Sequence, residues 1–383
     1  MEEKQKVFRI GPIRPPSEAN SLLLQITEGC TWNRCKFCQL YKHSSFKAFS
    51  VDSIKNDIDM MAEYAEIARK YQRDDGSWNH KAFAEEMESM TYAEQNCFYM
   101  IYQWLINGGE NVFLQDGNSL ALRSQRVVEV LTYLRKRFPL IKRVTTYGRA
   151  ETLSKISVEE YKELKAAGLD RIHSGFESGS DKVLELISKG VTAEQEITAG
   201  KNIKAAGIEL SVYFMAGVGG KDLSEENALE TARVVREINP DFVRIRTAVI
   251  KEGTELWREY QKGAYKLCSD NDKLLEIRKL IEYSQGCTGI LVSDHIINLM
   301  QEVFGRLDQD REKMLSMIDR YFALPPDEQR LFQLARRSGM VSSLEDMSKI
   351  PKNRLLQMEQ VCSRITDDSE WDEKINEMMM SYI

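Results

Sequence analysis

The chain has no apolar run approaching the ~18 residues that a membrane-crossing helix needs, and its opening MEEKQKVFRI has no signal-peptide core. Positive charge is in deficit: 53 Lys and Arg face 59 Asp and Glu, a net charge of −6. No basic stripe for phosphate contacts is evident, which argues against a nucleic-acid partner while leaving a local basic pocket open. Internal repeats and low-complexity tracts are also missing. The glycines of FMAGVGG (214–220) are not followed by the GK[ST] of a phosphate loop. On these absences neither a membrane-spanning helix nor a P-loop is expected, and the cytoplasm is the expected location.

What is present is an ordinary globular composition, 42% apolar and 29% charged over 383 residues, enough for one large domain or two moderate ones. SLLLQITEG (21–29) reads as a buried strand running into a cysteine loop. VDSIKNDIDMMAEYAEIARKY (51–71) has helical periodicity, RDDGSWNH breaks it, and a second amphipathic stretch ends at YMIYQWLI. A regular alternation follows. The strands are NVFLQ, KRVTTY, DRIHSGF, IELSVYFMAG and DFVRIRTAVI, separated by helices such as SVEEYKELKAAG, which opens on a capping box. Strands alternating with helices across residues 20–250 predict parallel βα units, as an open doubly wound sheet or a full or partial barrel. In either, ligands gather at the carboxyl ends of the strands. The expected organisation is an arm over 1–19, a βα domain over 20–296 with a helical insertion at about 60–106, and a helical extension over 297–383. The run GILVSDH forms one further βα unit in this scheme.

The cysteine loop is GCTWNRCKFC, residues 29–38, with the spacing C-x₄-C-x₂-C. Seven cysteines, an odd number for a reducing compartment, argue against a disulfide framework. Three thiols this close exceed what core packing needs. A zinc site would enlist His43, and a 2Fe–2S site would need a distant cysteine such as Cys97. A third arrangement, a 4Fe–4S cluster on three cysteines with one iron open, suits a loop at the carboxyl end of the first strand of a βα enzyme.

With these features the sequence resembles the radical S-adenosylmethionine (SAM) enzymes. The first gap is one residue longer than their commonest C-x₃-C-x₂-C, and Phe37 matches the aromatic between the last two cysteines. HSGFESGSDKVLELISKGVT (173–192) is similar to the fourth-strand segment of the branch with the anaerobic coproporphyrinogen oxidase-like and Elongator-type enzymes. The resemblance, spanning about residues 10–300, implies a partial (β/α)6-type barrel and an oxygen-sensitive enzyme. Cys30, Cys35 and Cys38 would hold a 4Fe–4S cluster, and SAM would chelate the open iron and yield a 5′-deoxyadenosyl radical that abstracts hydrogen. A flavodoxin- or ferredoxin-like protein would donate the electron.

The superfamily often carries a GGE-like motif at the end of the second strand. Here GGE (108–110) precedes NVFLQ, so it reads as a helix-terminating turn, and Asp116, Gly117 and Asn118 take its role toward SAM. Further SAM contacts expected are Arg149 in TYGRAE, Glu177 and Ser178 after the fourth strand, and Gly217 in the glycine-rich turn. Substrate-site candidates are His173, which shares a strand face with Glu177, Arg244 and Arg246 on one face of the sixth strand, and Asp294, His295 and Asn298 in SDHIIN, with Asn298 just inside a helix. Arg14 and Glu18 of the arm are weaker candidates. Cys97, Cys268, Cys287 and Cys362 form no C-x₂-C pair, so no auxiliary cluster is expected, and with so short an arm an N-terminal cobalamin-binding domain is not expected either. A small or medium-sized organic substrate, with an anion suggested by the arginines, is the leading expectation. Radical modification of RNA or protein, and an iron–sulfur sensor or passive nucleotide-binding protein, are the alternatives.

Overall fold

The computed structural model describes residues 6–382. Eight strands form a mostly parallel α/β sheet: β1 Leu22–Gln25, β2 Asn111–Gln115, β3 Arg143–Tyr147, β4 Arg171–Glu177, β5 Glu209–Ala216, β6 Phe242–Thr247, β7 Ile290–Val292 and β8 Phe304–Arg306. Their spatial order follows the chain from β1 to β8. β1–β2, β2–β3, β3–β4, β5–β6 and β6–β7 are parallel pairs, whereas β8 runs antiparallel to β7. The alternation read from the sequence is thus present. β8 was not expected, because three residues of FGR carry no periodicity. Among the described residues no helix is long and apolar enough to cross a membrane.

The chain divides into two compact units, one of Met1–Thr31, His43–His173 and Ala205–Glu209, the other of Trp32–Lys42, Ser174–Lys204 and Leu210–Ile383. In the first, the helical insertion comprises Val51–Arg69, His80–Met87 and Tyr92–Ile106. The last of these opens on a Thr91–Glu94 capping box, and the rings of Phe83 and Tyr102 stack with centroids 3.6 Å apart. The N-terminal arm lies along the strands. Gly11 N–H donates to Gln115 Oε1 at the carboxyl end of β2 (2.9 Å), and Gln115 Nε2 donates to the Ile13 carbonyl (2.6 Å). Further along the arm, buried Glu18 accepts from Ser21 Oγ (2.5 Å) and from Arg143 Nη2 at the start of β3 (3.3 Å), with His173 Nε2 at 3.5 Å. Burial alone would raise the Glu18 carboxyl, but the hydrogen bonds from His173 and Ser21 and the Arg143 charge outweigh it and hold it below its ordinary value. Glu18 is therefore a latch for the arm.

In the second unit, residues after β7 run through turns to β8 and then into four helices, Arg311–Phe322, Pro326–Arg337, Lys352–Arg364 and Asp368–Met380. These helices join the β5–β8 core through a buried ion pair. Arg337 Nη2 donates to both carboxylate oxygens of Asp270 at 2.8 Å, the two side chains being 2% and 1% exposed. Arg337 Nη1 adds a bond to the Ile297 carbonyl at 2.5 Å. Such a pair is weakly stabilising as a whole, yet costly to break from one side. Asp270→Ala is expected to cost about 3–5 kcal/mol in urea unfolding, and an Asp270→Leu, Arg337→Met double variant distinctly less. Equal losses in both would show that packing, and not the uncompensated guanidinium, sets the cost.

A second outcome follows from Glu18. Its lowered folded value makes its contribution present above about pH 4.5 and lost as pH falls through the folded value. Urea-unfolding profiles between about pH 6 and pH 3 should therefore be flatter for Glu18→Gln than for the wild type, and a parallel profile would contradict the latch.

Candidate functional site

In the first unit the carboxyl ends of β1, β2 and β3 converge on the start of the cysteine loop. Gly29 N–H donates to Asp116 Oδ2 (3.1 Å), and Asp116 N–H to Thr27 Oγ1 (3.2 Å). Asn118 Nδ2 donates to Thr31 Oγ1 and to Thr152 Oγ1, each at 2.9 Å, while its Oδ1 accepts from Arg149 N–H at 3.0 Å. Arg149 Nη1 also reaches Thr31 Oγ1, at 3.4 Å. Asp116, Asn118 and Arg149, expected together from the sequence, are together beside Cys30, with Gly117 between the first two. Asp116 and Asn118 are fully buried. GGE lies at the amino end of β2. Gly108 (φ 100°) and Gly109 (φ 66°) end the helix Tyr92–Ile106, with Gly109 N–H bonded to the Trp104 carbonyl (3.0 Å), and Glu110 pairs with Lys142 (2.6 Å).

In the second unit, residues 32–42 are pinned by their backbone and by one aromatic ring. Trp32 Nε1 donates to the Ser188 carbonyl (2.7 Å), Lys36 N–H to the Ile187 carbonyl (2.9 Å), and Leu256 N–H to the Lys36 carbonyl (3.0 Å). Lys36 Nζ meets Glu259 at 2.5 Å, and Gln39 Nε2 the Glu252 carbonyl at 2.5 Å. The Phe37 ring packs on Val183, Ile187, Val218 and Ala248 and on Ile250, Leu256 and Tyr265, apolar groups at the carboxyl ends of β5 and β6 and in the helices beside them. A half-buried aromatic between two cysteines thus anchors the loop. Lys189 Nζ stands 5.9 Å from the Phe37 centroid and 2.9 Å from Glu177 Oε1, a buried ion pair at the end of β4. Ser178 Oγ, beside it, accepts from Ser180 N–H at 3.0 Å.

Cys35 is buried, Cys30 and Cys38 are half-buried, and no disulfide joins any of the seven cysteines. Cys38 N–H donates to the Cys35 carbonyl (3.3 Å) in a turn without helix or strand. Among the described residues no group of three His, Cys, Asp or Glu side chains converges to hold a metal ion. The loop nevertheless has the donor chemistry of an iron–sulfur site: three soft thiols within nine residues, on an irregular turn able to bring them together. Of the rivals, His43 is exposed, and Cys97 is committed elsewhere, its Sγ donating to the Phe8 carbonyl at 3.5 Å.

The turn after β5 depends on an acid in the helix Asp270–Tyr283. Gly217 has φ 83°, and a Cβ there would stand 2.8 Å from Lys273 Cγ. Glu276, fully enclosed, accepts from Gly217 N–H (2.8 Å), Asn227 Nδ2 (2.8 Å) and Ser224 Oγ (2.6 Å). Burial pushes its carboxyl up to about 7, against the pull of these donors and of Lys273. Sequence reasoning missed Glu276. Its signal was there: Lys273 and Glu276 fall on the apolar stripe with Leu280, at i, i+3 and i+7. It also missed Lys189 and Glu196, a fully buried acid whose carboxyl burial raises and which has no hydrogen-bond partner among the described residues.

The substrate-site candidates separate into three kinds. Arg244, Arg246, Asp294 and His295 form one cluster, with Asp294 3.3 Å from Arg244 Nη1 and 3.5 Å from Arg246 Nη1. Burial and the Arg246 charge lower the His295 imidazole to about 4, so it is neutral near pH 7. Asn298 is buried in a turn and not in a helix, its side chain bonded within the fold. Its Nδ2 donates to the Ile245 carbonyl (3.0 Å) and to Ser293 Oγ (3.1 Å), and its Oδ1 accepts from Thr247 Oγ1 (2.9 Å). His173 faces Glu18 in the first unit, with the rings of Phe113 and Tyr147 edge-on.

Glu276 makes a direct test of the β5 turn. Its folded value, about 7, exceeds the ordinary 4.5, so its contribution is greatest below about pH 4.5 and declines as pH rises through 7. Glu276→Ala is expected to lose about 2–4 kcal/mol by stranding buried donors and to remove that decline from urea-unfolding profiles. A loss below about 1 kcal/mol would show the turn to be self-supporting.

Comparison with known proteins adds a family. Residues 96–232 match the radical SAM superfamily model. The tRNA uridine(34) acetyltransferase of Methanocaldococcus jannaschii is 30% identical over 114 residues, covering 28% of this chain and 20% of that protein. The 4′-phospho-dehydrooxetanocin synthase of Priestia megaterium is 28% identical over 204 residues, 51% of this chain and 23% of that one. The chain thus matches about a fifth of the length of these relatives. Among solved structures, the cobalamin-dependent S-adenosylmethionine radical enzyme OxsB superposes with a TM-score of 0.46 at 16% identity, covering 94% of this chain and 54% of that one. Residues 96–232 thus carry the radical SAM signature, that of an enzyme family that uses a 4Fe–4S cluster and SAM.

Proposed function

We propose that the protein is a radical SAM enzyme acting on a small or medium-sized organic substrate, with Cys30, Cys35 and Cys38 as the thiolate ligands of its 4Fe–4S cluster. The observation that carries this reading is the C-x₄-C-x₂-C loop itself. Its residues 32–39 are tied by Trp32, Lys36, Phe37 and Gln39 to groups at the carboxyl side of the βα units, on a chain with a radical SAM domain. When bound, such a cluster with one open iron supplies the electron that splits SAM into methionine and a 5′-deoxyadenosyl radical, which removes a hydrogen atom from substrate.

The chain's own groups then have distinct tasks. Asp116, whose carboxylate already takes Gly29 N–H, is the acceptor proposed for the SAM ammonium, with Gly117 allowing close approach. Asn118 holds Arg149 N–H and Thr31 in register, which places Arg149 as the group proposed to meet a carboxylate. Glu177, steadied by Lys189, is an acceptor for ribose hydroxyls, with Ser178 as its neighbour. Gly217, held by Glu276, gives a turn that an adenine edge can approach. The apolar groups around Phe37 would help to keep water from the loop, which a reactive radical requires. The electron is expected from a small flavodoxin- or ferredoxin-like protein.

A second reading, a nucleic-acid substrate, is favoured by one observation, the similarity to archaeal tRNA uridine(34) acetyltransferases. The net charge of −6 does not exclude it, since a few local cations suffice for RNA contacts. Anaerobically reconstituted protein given dithionite and SAM is expected to release 5′-deoxyadenosine, and Cys30→Ala, Cys35→Ala and Cys38→Ala each to abolish release. Stimulation by a low-molecular-weight extract but not by bulk tRNA supports the first reading, and the reverse supports the second. Zinc in place of iron, or release that survives loss of Cys35, would contradict the cluster assignment.

A further inference from the structure

Arg244 and Arg246 project from the same face of β6, two residues apart, with side chains only 6% and 14% exposed. Two guanidiniums this close in a largely buried wall repel one another and are costly without an anion. The only carboxylate paired with them among the described residues is Asp294, in the irregular segment after β7. It spans the pair, with Oδ2 toward Arg244 Nη1 (3.3 Å) and Oδ1 toward Arg246 Nη1 (3.5 Å). Charge-assisted N–H···O bonds ordinarily lie near 2.7–2.9 Å, so Asp294 is a loose fit, and its side chain is 39% exposed.

The remaining contacts orient the guanidiniums without neutralising them. Arg244 Nε donates to Ser211 Oγ (3.1 Å), and Arg246 Nη1 donates to the Ile245 carbonyl (2.9 Å). Their guanidinium carbons lie 5.6 Å from the Phe242 centroid and 4.7 Å from the Tyr213 centroid, respectively. The other N–H groups of both guanidiniums have no acceptor among the described residues. His295, beside them, contributes no charge near pH 7. The cluster thus keeps an excess positive charge, with unused planar donors and an internal carboxylate in the position a ligand oxyanion would take.

We propose that the Arg244–Arg246 pair is a binding site for an oxyanion of the substrate, a carboxylate or a phosphate, and that Asp294 is a displaceable stand-in for it. The substrate class named here rests on the enzyme reading above. The anion site itself does not, and can be tested without turnover. When the ligand oxyanion enters, Asp294 swings toward solvent, to which it is already partly exposed, and two guanidinium forks face the incoming group.

The test is isothermal titration calorimetry of the anaerobically reconstituted full chain, with and without SAM, using inorganic phosphate in one arm and acetate in the other. Saturable binding of one anion is expected, and the better of the two identifies the group. Arg246→Gln should weaken it about tenfold or more, the loss of one charge-assisted contact. Asp294→Asn, which removes the competitor while keeping its shape, should strengthen it by about threefold or more, a gain that a misfolded variant cannot produce. Absence of saturable binding in both arms, or affinity unmoved by Arg246→Gln, or weakened by Asp294→Asn, would overturn the proposal and leave the pair as a structural strut. Release of 5′-deoxyadenosine, measured on the same samples, keeps the two claims apart. Release without anion binding rejects only the site, and anion binding without release rejects only the enzyme reading.

Discussion

A parallel sheet ends in loops whose backbone N–H groups have left the strand ladder, and in this chain buried carboxylates supply the missing acceptors. In the first unit Asp116 takes Gly29 N–H at the threshold of the cysteine loop. In the second, Glu276 takes Gly217 N–H and two side-chain donors, and Glu177 takes Lys189. Each acid loses hydration energy on burial and regains it only if its donors are in place. The loops at the functional end are therefore held by groups that tolerate little displacement, which suits a site that must orient a cofactor and exclude water.

The cysteine loop follows the same logic with different means. It has no regular structure of its own, so its position comes from neighbours: backbone bonds to Ile187 and Leu256, the Trp32 indole on Ser188, and Phe37 in an apolar socket. The thiols are left uncommitted to any disulfide. Pinned flanks around an irregular turn are what the proposed cluster ligation would require of this loop. The helices after residue 310 belong to this framework as well, since Arg337 grips Asp270 in the helix whose Glu276 holds the β5 turn.

Much of the fold was legible because parallel βα units repeat a strong signal, a short apolar run followed by an amphipathic helix. The capping box at Ser157–Glu160 and the glycine turn of GGE were readable from local chemistry for the same reason. What escaped was long-range. Lys189 becomes meaningful only because the ESGS turn and the following helix bring it to Glu177, and the partners of Glu18, a residue the sequence did single out, appear only in the fold. Asn298 lies in a turn and not in the expected helix, its amide meeting one backbone carbonyl and the hydroxyls of Ser293 and Thr247. The arginine pair was legible from period two alone, whereas the meeting of Asp294 with both guanidiniums was not. β8 was invisible, since three residues pairing antiparallel to β7 leave no pattern.

The central claim is that three thiolates of the 30–38 loop hold a 4Fe–4S cluster with one iron open to SAM. It is tested most directly by electron paramagnetic resonance of the dithionite-reduced, reconstituted protein, recorded before and after SAM is added. The account predicts the signal of a reduced 4Fe–4S cluster that changes on SAM addition and is lost in Cys38→Ala. A signal of another cluster type, or one indifferent to SAM, would contradict it.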